Sequence, residues 1–168
     1  KTFKVECPTT YLSTITFENG SIIRLTLSFD VIAHQRNHIE LYGDKGSMIV
    51  PDPNMFGGSV YTCKKLGDLW KEHKTNKMPL GKINIRSQSS RANESSTNAN
   101  YRGAGLAEMA YSIQNKKINK CNGELSLHVL DIIQSTMNAC KTGKTQSIKT
   151  TCKKPQPFSL KEVRKIIK

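Results

Sequence analysis

Alternation of apolar and polar positions dominates the first third of the chain. Within Ser21–Pro53, residues Ile23, Leu25, Leu27 and Phe29 fall on one side and Ile22, Arg24, Thr26 and Ser28 on the other. This is the period-2 signature of a strand with one buried face. The preceding run, Thr10–Phe17, is β-branched and aromatic, and Glu18-Asn19-Gly20-Ser21 separates the two. Asn-Gly supplies the two positive-φ positions of a type I′ turn, so Tyr11–Phe17 and Ile22–Phe29 are predicted to pair antiparallel. A second run, His38–Tyr42, ends in Gly43-Asp44-Lys45-Gly46, and Ser47–Val50 returns from it. Pro51 and Pro53 then stop the pairing, because proline has no N–H to give a ladder. Val60–Lys64 and Leu69–His73 predict a further hairpin around Gly67-Asp68. Short strands are also expected at Lys1–Glu6, an edge strand stopped by Pro8, and at Gln146–Thr150.

The period changes in the second half. Leu106, Met109, Ala110 and Ile113 share one face of a helix predicted over Gly105–Asn115. A longer helix is predicted from Gly123 to about Lys141, ended by Gly143 in the role of a left-handed stop. Its apolar stripe comprises Leu130, Ile133, Met137 and Cys140, widened by Val129 and Ile132, and is expected to cover a sheet. Near the end, Ser159 and Glu162 form the S-x-x-E capping box, with Phe158 and Val163 as its hydrophobic staple. Leu160, Val163, Ile166 and Ile167 then face inward, against Lys161, Arg164 and Lys165.

These elements predict an α+β domain: an open, mainly antiparallel sheet with helices packed on one face, spanning 1–158, and a C-terminal capping helix over 159–168. A chain of 168 residues is long enough for one domain with its own core. The stretch 77–98 has few large apolar residues and is rich in Ser, Asn, Lys and Arg. It is expected to be the most mobile part, since little burial opposes its chain entropy.

Charge and cysteine content narrow the picture. The net charge of +13 raises nucleic-acid binding as an alternative, yet the lysines are scattered over strands, loops and helix ends and are dense only in 141–168. Nucleic acid is therefore not the expected partner. The five cysteines form no C-x-x-C pair, and reduced thiols in a cytoplasmic protein are expected. No run is long and apolar enough to span a bilayer. His34 and His38 are four apart in a segment without helical pattern, so no metal site is expected there. There is no G-x-G-x-x-G after a strand, no phosphate-binding G-x-x-x-x-G-K-[ST], no nucleophile elbow and no H-E-x-x-H. Composition and spacing alone give an α+β domain of undetermined activity.

The phrases FENGSIIRLTLSFDVIAH, HIELYGDKGSMIVPDPNMFGG and GELSLHVLDIIQS, in this order, resemble the C-terminal domain of the Gfo/Idh/MocA oxidoreductases. That family includes glucose–fructose oxidoreductase and inositol dehydrogenases. The resemblance runs from about Lys4 to Pro157 and implies the substrate-binding and oligomerisation domain of an NAD(P)-dependent oxidoreductase acting on a sugar, cyclitol or related polyol. It implies further that NAD or NADP is held by a Rossmann domain lying before Lys1. The catalytic lysine and histidine motifs would lie there too, so this chain would be a fragment, inactive alone, with no catalytic, cofactor-binding or metal-binding residue of its own. By position in the family's pocket, His34 and Gln35 after the SFD strand, and Tyr101 and Arg102 before the next helix, are the candidate substrate-binding residues. Such side chains suit a hydroxyl-rich ligand, because they donate and accept hydrogen bonds in fixed directions. The expected partners are a second copy, in a homodimer or tetramer through the sheet face, and the Rossmann domain. A non-catalytic dimerising module on the same fold is the alternative reading.

Overall fold

The computed structural model describes residues 3–84 and 98–167. Its chain is α+β and clusters into two compact units, 1–35 with 122–154, and 36–121 with 155–168.

In the first unit, β1 (Thr10–Thr16) and β2 (Ile22–Ser28) pair antiparallel, with Ile15 opposite Ile23 and Tyr11 opposite Leu27. The Asn-Gly segment joins them, but not in the type I′ turn expected: only Gly20 takes a positive φ, +82°, and its N–H donates to the Phe17 carbonyl at 2.9 Å, closing a turn over Glu18-Asn19. The open end of the hairpin is closed by Asp30, whose carboxylate accepts from the Thr9 and Thr10 hydroxyls, both at 2.6 Å. Those two hydrogen bonds, Thr10 first, hold the Asp30 carboxyl below its ordinary range. Register places Tyr11, Ser13, Ile15, Ile23, Leu25 and Leu27 on one face of the ribbon, and α2 (Gly123–Thr142) packs against β1. Asn122 caps α2 by accepting from the Leu125 N–H at 3.0 Å, and Gly143 ends it at φ +66°.

Three features of this unit depart from the sequence expectations. Residues 3–9 form no strand; Phe3, at 87% exposed, has no ladder partner. Gln146–Thr150 is not a strand either, because its N–H groups find a carboxylate instead of a neighbouring chain. Asp131 accepts from the Lys149 N–H and the Thr150 N–H, each at 2.9 Å, and from the Thr150 hydroxyl. The third departure is the orientation of α2. Its half-buried residues are Leu125, His128, Asp131, Ile132, Ser135, Thr136 and Ala139, whereas Leu130, Ile133 and Met137 remain exposed. The polar bonds of His128 and Asp131 to Thr150 anchor that side of the helix inward.

The second unit carries a four-stranded antiparallel sheet in the order β3 (Ile39–Gly43), β4 (Gly46–Val50), β5 (Ser59–Cys63), β6 (Lys71–Lys74). The antiparallel strands are thus divided between a ribbon and a sheet rather than joined in one. The predicted hairpins at Gly43–Gly46 and around Gly67-Asp68 are both present. Ile39, Leu41, Met48, Val50 and Val60 share one face by register. Two-residue strands β7 (Ile83–Asn84) and β8 (Asn98–Ala99) pair parallel. Of the stretch 77–98 expected to be mobile, 85–97 lies outside the described residues, while 77–84 forms a turn and β7.

Helix α1 (Ala104–Gln114) packs against α3 (Leu160–Ile166). The capping box of α3 forms as predicted: the Ser159 Oγ accepts from the Glu162 N–H, and the Glu162 carboxylate accepts from the Ser159 N–H. Among the described residues Ala104 is the sole buried apolar side chain, and the other well-buried side chains, Asn84, Glu108 and Ser112, are polar. The tightest packing in the chain is therefore organised by hydrogen bonds.

Candidate functional site

Tyr101 and Arg102 lie just before α1 in the second unit, next to a tightly constrained crossing of the chain. A 3-10 turn over Pro53–Met55, capped by the Asp52 carboxylate, delivers Phe56 at φ +64°. Glycines follow because the chain runs hard against its neighbour. A methyl group on Gly57 would lie 2.2 Å from the Gly81 carbonyl oxygen, and one on Gly81 would lie 1.9 Å from that of Thr75. The Thr75 hydroxyl holds the crossing, lying 2.8 and 2.7 Å from the Gly58 and Gly81 carbonyl oxygens and accepting from the Gly58 N–H at 3.0 Å.

This crossing fixes an aromatic pair. Phe56 forms a bridge with Ile83, and the next residue, Asn84, is buried, its Oδ1 accepting from the Tyr101 N–H at 2.7 Å. The rings of Phe56 and Tyr101 meet at 5.1 Å between centroids and 51° between planes, a tilted arrangement that aromatic quadrupoles favour. Phe56 is 39% exposed and Tyr101 half-buried, so the pair offers an apolar edge at the surface. Arg102 follows, exposed, with its N–H donating to Asn100 Oδ1 at 3.2 Å, and the Tyr101 carbonyl accepts from the Ala104 N–H. A partly exposed aromatic pair of this kind can pack against the apolar side of a ligand.

His34 and Gln35 belong to the first unit, in the exposed connection between β2 and β3. The four candidates thus form two pairs, one in each unit. Phe56 and Asn84 were missed by sequence reasoning. Met55-Phe56-Gly57-Gly58 reads as a turn, and only the tight glycine crossing behind it turns Phe56 toward Tyr101.

A separate open cleft of about 850 Å³ lies between β1 and the C-terminal half of α2, lined by Tyr11, Gln134, Asn138, Cys140, Gln146 and Lys149 among others. Asp131 at its edge is an anchor. Bonds from the Thr150 backbone first, then the Thr150 hydroxyl and the Lys149 N–H, hold its carboxyl below the ordinary range. A carboxylate already serving these donors is a poor proton acceptor for catalysis. Among the described residues, no group of three or more His, Cys, Asp or Glu is placed to hold a metal ion. All five cysteines are free thiols, and no described helix is long and apolar enough to cross a membrane.

Comparison of the chain with protein-family models, with curated proteins and with solved structures finds no match.

Proposed function

We propose that this chain is the substrate-binding and oligomerisation domain of a Gfo/Idh/MocA-type NAD(P)-dependent oxidoreductase acting on a sugar, cyclitol or related polyol. The observation that carries the reading is the coincidence of each resembling phrase with a discrete structural piece. FENGSIIRLTLSFD makes the turn after β1 and all of β2, HIELYGDKGSMIVPDPNMFGG makes the β3–β4 hairpin with the turn into Phe56, and GELSLHVLDIIQS lies in α2. On this reading Tyr101 and Phe56 stack against the apolar face of a ring while Arg102 binds its hydroxyls. Hydride acceptance belongs to NAD(P) on a preceding domain, and this chain orients the substrate. The apolar face of the β3–β6 sheet, where Ile39, Leu41 and Met48 are 36%, 52% and 36% exposed, is the oligomerisation surface.

The reading frame before Lys1 tests the proposal: it should encode a Gly-rich βα unit followed by E-K-P, and an unrelated domain there overturns it. In the full-length product, Tyr101→Ala should raise KM for the polyol about tenfold with kcat little changed, the pattern of a residue that binds ground and transition states alike. An unchanged KM removes Tyr101 from the site.

A nucleic-acid-binding surface is the second reading, favoured by one observation. The ammonium groups of Lys117 and Lys165 lie 5.6 and 6.0 Å from the centroid of the same ring, Tyr111, which brings charge from the connection after α1 and from α3 together. Steep weakening of RNA or DNA binding with salt would support it, and absence of binding at low salt would dismiss it.

A further inference from the structure

The cleft between β1 and the C-terminal half of α2 is built within one unit by three elements. Helix α2 contributes Gln134, Asn138 and Lys141, whose spacing of four and three puts them on one helix face. Strand β1 contributes Tyr11, and the segment after the helix contributes Gln146 and Lys149. That segment is tied to α2. Asp131 accepts from the Lys149 and Thr150 N–H groups and from the Thr150 and Ser135 hydroxyls, and Asn138 Nδ2 donates to Gln146 Oε1 at 2.8 Å. The cleft is therefore preformed, which lowers the ordering cost of binding.

Its charge is one-sided. Asp131 is the only carboxylate among the lining residues, and four donors already occupy it. No carboxylate pairs with the ammonium of Lys141 or Lys149 among the described residues. Nor is Lys141 consumed in ending the helix. The Gly143 N–H donates to the Ala139 carbonyl at 2.8 Å, and the Thr142 hydroxyl donates to the Asn138 carbonyl at 2.7 Å. Beside the two cations, half-buried Tyr11 supplies aromatic surface and Met137 a thioether. A bare anion would leave that surface in water, and an uncharged ring would leave two cations unmatched. The volume of about 850 Å³ lies in the range of small-molecule sites.

We propose that this cleft binds a nucleotide, its base packed on the Tyr11 ring and its phosphate taken by the ammonium groups of Lys141 and Lys149. Aromatic surface accepts any base through its π-face. Gln134 and the Asn138 carbonyl oxygen stand on the same helix face to meet ribose hydroxyls. The site lies in the unit that does not contain Tyr101, so the inference is independent of the oxidoreductase reading.

Calorimetric titration of the full chain with AMP, adenosine and inorganic phosphate separates the parts of the site. AMP should bind one-to-one with a Kd on the order of 0.1 mM or tighter, and adenosine and phosphate each at least about tenfold more weakly. Amide shifts induced by AMP should fall around Tyr11 and within 134–149. Lys149→Gln should weaken AMP about tenfold or more, the effect of losing a hydrogen bond to a charged group, and leave adenosine unchanged. It keeps the fold, because position 149 bonds Asp131 through its backbone N–H. Tyr11→Leu, still apolar opposite Leu27, should weaken AMP and adenosine alike. Lys161→Gln, exposed on α3, removes the same charge elsewhere and should leave AMP affinity unchanged. No AMP binding at millimolar concentration overturns the proposal. So does phosphate binding as tightly as AMP, which would mean a bare anion site, or equal weakening by Lys149→Gln and Lys161→Gln, which would mean diffuse charge.

Discussion

Replacing Glu108 by alanine should be among the most destabilising single changes in the second unit. Glu108 is 7% exposed and Ser112 4%. The Glu108 carboxylate accepts from the Ser112 hydroxyl at 2.9 Å and from the Lys120 N–H at 3.1 and 3.3 Å. Lys120 is held at its other end too. Its ammonium donates to the Gln156 carbonyl at 2.9 Å, pairs with Glu162 at 3.5 Å and sits 4.8 Å from the Phe158 ring centroid. One buried side chain therefore ties α1, the 115–121 connection and the start of α3 together. Truncation leaves two donors behind, and an unsatisfied buried donor costs about 1–3 kcal/mol. Ser112 can turn its hydroxyl to the carbonyl one helical turn back, so its share falls toward the low end. The Lys120 N–H has no such alternative. The expected loss is about 2–4 kcal/mol, set against about 5–15 kcal/mol for a whole domain.

The single tryptophan makes the assay specific. Trp70 lies in the same unit as Glu108 and is 45% exposed, so its fluorescence during urea unfolding follows that unit. Glu108→Ala should move the transition to lower urea with an unchanged slope. Glu108→Gln should fall between, since an amide oxygen can still accept from one donor while its NH₂ opposes the other. The double variant with Ser112→Ala should cost less than the two single changes added, the mark of groups sharing one bond. A shift worth less than about 0.5 kcal/mol for Glu108→Ala, the level of an ordinary surface change, would refute the claim that this network holds the unit together.

Two further predictions follow from the backbone and from α3. Gly81→Ala should disrupt the second unit, because its methyl would lie 1.9 Å from the Thr75 carbonyl oxygen. By contrast Gly105→Ala, inside α1 with nothing within 4 Å, should stabilise by about 0.5–1 kcal/mol; urea midpoints moving the same way for both would contradict the packing described. The Glu162 carboxyl is held down at about 2, from an ordinary 4.5, mainly by the Ser159 N–H and then by its hydroxyl. A depressed carboxyl stabilises above its unfolded value and ceases to as pH falls through its folded one. The α3 cap should thus be intact at neutral pH and be lost between about 4.5 and 2. Ser159→Ala should raise the Glu162 titration midpoint seen by carbon-detected NMR, and an unmoved midpoint would assign the depression to another group.

What the sequence made legible was local chemistry. Gly20 marks the turn between β1 and β2 through its positive φ, Ser159 and Glu162 satisfy each other across three residues, and Gly143 ends a helix through its left-handed backbone. Each of these is decided within a few residues. Gln146–Thr150 failed for the opposite reason. An extended run states that its N–H groups need acceptors, and only the fold decides whether these come from a strand or from Asp131. The rotation of α2 was hidden likewise, since the apolar stripe was read correctly but its burial was assumed. For the candidate site, Tyr101 and Arg102 came from resemblance, whereas Phe56 and Asn84 come from the glycine crossing and needed coordinates.

The three resembling phrases also bear on the proposed function through where they fall. The first makes a turn and β2 and the third part of α2 in one unit, and the second makes a hairpin of the other. In each unit residues within these phrases do structural work: the turn closed by Gly20 and the close approach at Gly57. They also explain how a chain with one buried apolar side chain among its described residues holds defined turns. Its local geometry is set by hydrogen bonds and glycine contacts, while its large apolar side chains stay half-open on the sheet face and on α2. Apolar area left open in that way is stabilised by whatever binds it, so folding and assembly of this domain are expected to be one linked equilibrium.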